Sequence, residues 1–158
     1  MYLFWLMALL GGAGLSIQAS INTGLSSHLG GQPLIGALIS FFVGTLCLDV
    51  VAGMQADWPS VTQNVSTLPW WRWIGGMIGA GFVFTSIFLA PKLGVTNTMF
   101  LFILGQLVSG MVIDHFGLID MPIRPVHWWK ILGVGVMLMG LALFMFGEKL
   151  FSSQSTLS

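Results

Sequence analysis

The chain has 158 residues, 56% of them hydrophobic and 6% charged, with a mean hydropathy of +0.92; soluble domains carry about 25% charged residues, so the solvent of this chain is a lipid bilayer. Five Lys or Arg balance five Asp or Glu, which leaves no electrostatic footprint for nucleic acid or an acidic partner. Cys47 is the single cysteine, so an intrachain disulfide is excluded.

A helix crosses the hydrocarbon core with about 20 mostly apolar residues. The first such run covers 2–23 and contains "GLSIQASIN", with Gln18 and Asn22 one helical turn apart. Gly11, Gly14, Gln18 and Asn22 share one stripe of a helix, so both amides are expected on a small-residue face turned toward other helices. The run lacks a Lys/Arg n-region and exceeds the length of a signal-peptide core, which favours a span over a cleavable leader. "HLGGQP" breaks it, and Pro33 opens the second run, 33–53, where Gly36, Ser40 and Gly44 recur every four residues and Thr45 lies at a depth similar to Ser40. "ADWPS" and "TLPWW" bound a long loop, in which "NVS" at Asn64 matches a glycosylation acceptor without a compartment to support it.

The third run, 72–90, starts with a GxxxG at Gly75 and Gly79 and is expected to end at Pro91. Its "GGMIGAG" has no flanking strand and is not a phosphate loop. "APKLG" leads so briefly into the fourth run, 94–114, that a tight antiparallel hairpin is expected. This run carries Gln106, Ser109 and Gly110 near its middle and closes on "DHFG", with Asp114 and His115. "DMPIRP", containing Arg124, precedes the fifth run, 128–147, along which Gly133, Gly140 and Gly147 recur every seven residues. The expected architecture is all-α: one module of five transmembrane helices over 1–150, followed by a short polar tail, 151–158.

An odd number of spans places the termini on opposite sides. Arg72, Arg124 and Lys130 then share the N-terminal side, against Lys92 and Lys149 opposite, so the positive-inside rule has almost nothing to act on and dual topology is expected. Trp5, Trp58, Trp70, Trp71, Trp73, Trp128 and Trp129 all fall on the N-terminal side, where indole rings prefer the headgroup level. Such a lopsided belt becomes symmetric in an antiparallel homodimer, which also supplies the inverted halves that many transporters use; no internal repeat supplies them here.

Gln18, Asn22, Ser40, Thr45, Gln106 and Ser109 are the candidates for a substrate path. Interhelical hydrogen bonding, about 0.6–2 kcal/mol per contact, is the competing role of such residues, and Asn22, near the interface, reads as a helix cap or a gate. No acid lies at the centre of a span, where a charge costs about 2.5–3.5 kcal/mol on insertion scales. Asp49 and Asp114 stand about a turn from the ends of their runs, and with His115 and Arg124 they are the candidates for coupling or gating; the same acids are placed to pair with Arg72 or Arg124 as anchors. His28, His115 and His127 lie in separate loops without metal-ligand spacing, and no nucleophile–base set exists. No metal, cofactor or catalytic residue is expected, and no enzyme.

"QASIN", "ALISFFVGT", "WRWIGGMIGAGFV", and above all "LGQL" followed by "DHFGL", resemble the YdcZ-type bacterial inner-membrane proteins of the drug/metabolite transporter superfamily. The resemblance extends to about Gly147. It implies five-helix modules that occur as single chains, paired chains or fused inverted halves, with a transporter label and no settled catalytic residues. Gln18, Asn22, Gln106 and Asp114 match its recurrent motifs. The first helix lacks the central acid by which the related small multidrug exporters couple protons, which separates this chain from cation export of that kind. The expected function is alternating-access transport, most simply export, of small polar metabolites or drug-like molecules, neutral or zwitterionic, by an antiparallel homodimer or a pair with a homologue in the bacterial inner membrane. The alternative is a non-transporting membrane protein whose polar and small residues only hold a partner.

Overall fold

The computed structural model describes residues 1–152, with side chains described through Gly147. The described residues form six α-helices: α1 (Tyr2–His28), α2 (Pro33–Gln55), α3 (Trp58–Val65), α4 (Ile74–Leu93), α5 (Val95–Phe116) and α6 (Trp128–Ser152), with 3-10 turns at Trp70–Trp73 and Leu118–Asp120. No strand occurs among them. Five stretches are long and apolar enough to cross a membrane: α1, α2, the Trp70–Leu93 turn and helix, α5, and Trp128–Gly147 of α6. These are the five expected runs. Most of the expected tail, 153–158, lies outside the described residues.

The boundaries differ where local chemistry outweighs the apolar pattern. α1 continues past residue 23 to His28, and the hydroxyls of its polar last turns are satisfied within the helix, Thr23 Oγ1 donating to the Ala19 carbonyl at 2.7 Å and Ser27 Oγ to the Thr23 carbonyl at 3.0 Å. Gly30 (φ +78°) and Gly31 (φ +70°) then turn the chain through the left-handed region, and Pro33 opens α2 at the position where a missing N–H costs least. Pro91 does not end its helix. It sits in the last turn of α4, which closes two residues later when the Gly94 N–H donates to the Ala90 carbonyl at 3.0 Å. The loop after α2 contains the unexpected helix α3, started by the Asp57 carboxylate accepting from the Ser60 N–H at 3.4 Å. Its apolar residues Trp58, Val61 and Val65 fall on one stripe, as in helices lying in the membrane interface.

The chain divides into two compact units, Met1–Val95 and the remainder from Thr96. In the first, α1, α2 and α4 pack pairwise around a small core of Ala37, Val83 and Ile87 with Phe82 against it. A Cβ added at Gly36 of α2 would lie 3.1 Å from Ser26 Cβ and 3.3 Å from the Asn22 carbonyl of α1, and 3.4 Å from Ile87 Cδ1 of α4. Three helices meet at this glycine. Farther along, Gly79 of α4 faces the Phe41 ring of α2, so α2 runs antiparallel to its two neighbours. Trp5, Trp58, Trp70, Trp71 and Trp73 therefore gather at the opposite end of the unit from Gly36. Large apolar side chains such as Leu9 (71% exposed), Phe42 (63%) and Met77 (74%) stay uncovered, which suits lipid and not water.

In the second unit α5 and α6 run antiparallel, with the Phe100 and Phe144 rings in contact at 5.1 Å between centroids. Residues 121–127 return along the end of α5, where the Arg124 N–H donates to the Asp114 carbonyl at 2.7 Å and the Val126 N–H to His115 Nδ1 at 3.1 Å.

Candidate transport path and the cleft between α5 and α6

The polar residues of the first unit separate into a packed group and an uncovered one. Asn22 is buried inside α1, and its Nδ2 donates to Ser40 Oγ of α2 at 3.0 Å. It is therefore no helix cap: the helix continues to His28, and the amide clasps two spans. Ser26, one turn on, is also buried, and buried Ser86 of α4 donates to the Val83 carbonyl at 2.8 Å. The stripe through Gln18 and Asn22 contained the signal for Ser26, since it repeats at the same spacing of four. Gln18, Thr45 and Asp49 are exposed, and an added Cβ at Gly11 or Gly14 would meet nothing within 4 Å. The expected small-residue face of α1 is packed only at its Asn22 end. Gly44, Gly75, Gly133 and Gly140 likewise meet nothing within 4 Å, so of the glycine ladders only Gly36 and Gly79 are close contacts between helices.

A groove of about 490 Å³ between α2 and α4 is lined by Leu34, Ala37, Leu38, Phe41, Ala80, Gly81 and Phe84. It offers no polar side chain with which to select a polar molecule.

The second unit holds a cleft of different chemistry. Gln106, Leu107, Gly110, Met111 and Asp114 of α5 face Lys130, Gly133, Val134 and Met137 of α6 around about 440 Å³. Gly110 and Gly133 keep it open because neither carries a side chain to fill it. Gln106, exposed, and Asp114, half-buried, line the same cleft two turns apart on α5, whereas Ser109 lies outside the lining. His115, one residue on, lines a second pocket with Val108, Val112, Phe116, Val126 and Ile131, and Met111 lines both. Arg124 meets Asp114 through its main chain alone; among the described residues neither Asp114 nor Asp49 forms an ion pair. Arg72 lies over the Trp71 ring, 5.3 Å from its centroid. Lys130 is the cleft residue that sequence reasoning missed as a site residue. Its signal was present: consecutive antiparallel spans bring the end of one beside the start of the next.

Five apolar helices, with a buried amide clasp between two of them and a charged cleft between two others, define a multi-pass membrane protein. Residues 3–143 match the family model described as "Putative inner membrane exporter, YdcZ", and the chain belongs to this family. It is similar to the inner membrane protein YdcZ of Escherichia coli (strain K12), with 26% identity over 113 residues, covering 72% of this chain and 75% of that relative. No solved structure matches it. The chain is thus a multi-pass protein of the inner membrane, in a family whose description is that of an exporter.

Proposed function

We propose that this chain exports small polar metabolites or drug-like molecules by alternating access, as an antiparallel dimer of five-helix modules. The observation that carries the reading is the cleft between α5 and α6, where Gln106 and Asp114 line a space of metabolite size within two apolar spans. The family description supplies the direction. Five spans and a Lys/Arg excess of one residue on the N-terminal side support insertion in both orientations, and a second, inverted copy supplies the half that the chain lacks. The uncovered half of α1 is the surface for that copy, because Gln18 facing lipid leaves an amide without a partner where water is absent. Asp114, the acid of the cleft, is the candidate for proton coupling.

Reconstitution in proteoliposomes with a panel of labelled neutral, zwitterionic and charged metabolites tests this. Uptake or counterflow of at least one polar compound is expected, and Gln106→Ala is expected to lower it while the assembled protein stays abundant, since one membrane hydrogen bond contributes only about 0.6–2 kcal/mol. No transport from either direction across the panel, with the protein folded, rejects the exporter.

A further inference from the structure

Asp114, near the end of α5, and Lys130, in the first turn of α6, line one cleft of about 440 Å³. Among the described residues neither forms an ion pair, with the other or with a third side chain, within the 4.0 Å that defines one. Asp114 is half-buried and Lys130 exposed, so the cleft offers a carboxylate and an ammonium that are both open to a ligand and not spent on each other. A singly charged cargo can engage one of them, a zwitterion both. The walls add direction. α5 runs from Phe100 through Gln106 to Asp114, and α6 runs back from Lys130 through Met137 to Phe144, so charge sits at one end and apolar surface at the other. Met137 also lines the adjoining pocket of about 270 Å³, whose walls include Phe100, Leu104 and Phe144.

We propose that this cleft binds an amphipathic zwitterion, with its ammonium on the Asp114 carboxylate, its acid group on the Lys130 ammonium, and its apolar tail along Met137 toward Phe100 and Phe144. This chemistry has two sources, a free amino-acid-like metabolite or the headgroup of an aminophospholipid. The assignment rests on reading the cleft as the exporter's cargo site, but binding measured without a gradient separates the two: a binder that does not transport rejects export and keeps the site.

The test titrates L-leucine, isoamylamine and isocaproate calorimetrically into the full chain in phosphatidylglycerol nanodiscs, and asks by native mass spectrometry whether added phosphatidylethanolamine is retained. A free zwitterion predicts that leucine binds at least about tenfold more tightly than either singly charged analogue. A lipid source predicts that leucine is silent while phosphatidylethanolamine is retained. In either case Asp114→Asn and Lys130→Gln each abolish the signal, and the exchange Asp114→Lys with Lys130→Asp restores it, which a folding defect would not. Equal binding of the singly charged probes, binding indifferent to both substitutions, or no binding of leucine or phosphatidylethanolamine overturns the proposal.

Discussion

At Gly36 the absence of one methyl group lets three helices meet. An alanine there would press on Ser26, on the Asn22 carbonyl and on buried Ile87, and overpacking of this kind costs about 1–3 kcal/mol, more than the gain of up to about 1 kcal/mol in helix propensity. Gly36→Ala is therefore expected to lower stability. Gly44→Ala, two helical turns along the same ladder with nothing within 4 Å, is expected to leave it unchanged or raise it. Reversible unfolding in mixed micelles compares the two, and equal stabilities would reject the three-helix contact. The ladder itself was legible in the sequence because small residues recurred every four positions. Which rung makes contact was not, since every rung has the same spacing and the choice belongs to Ser26, Asn22 and Ile87 on other helices. The same limit applied to Asn22: an amide in a greasy run announced a polar contact, but its partner Ser40 is fixed only when α1 and α2 fold back on each other.

At the scale of elements, the spans were legible through length and hydropathy, which need no partner to be read. α3 was not, because eight residues carrying a proline and several turn formers look like loop until the Asp57 cap closes them. The return segment 121–127 escaped for a similar reason: its order comes from two bonds to the end of α5, and neither leaves a pattern in hydropathy. One of these bonds is testable. His115 Nδ1 accepts from the Val126 N–H, so the ring holds its proton on Nε2 when neutral. His115→Asn keeps an acceptor near the same place, whereas His115→Leu removes it and gives up about 1 kcal/mol. Hydrogen exchange at the Val126 amide should be several-fold faster in the leucine variant and close to native in the asparagine variant. Equal acceleration in both would assign the order of this segment to ring packing, including the T-shaped contact of His115 with Phe116, and not to the hydrogen bond.

For the whole molecule the sequence shows an odd number of spans and a nearly balanced set of Lys and Arg. Reporter fusions at the C-terminus are expected to give signal from both sides of the membrane, and a Lys added near either end should shift the ratio toward placing that end in the cytoplasm. A single orientation that resists such changes would remove the antiparallel homodimer and leave a separate inverted partner as the source of the second half. The contacts within the first unit also order its biogenesis. The Asn22–Ser40 bond joins residues 18 apart, so it closes as soon as the first two helices have left the translocon, giving the amide a partner before the rest of the chain has been made. Ile87 arrives only with the third span, and the seat that Gly36 leaves open stays vacant until then. A stalled nascent chain that ends before α4 should accordingly hold its clasp and lack its core, which makes synthesis a two-stage process with the polar contact first.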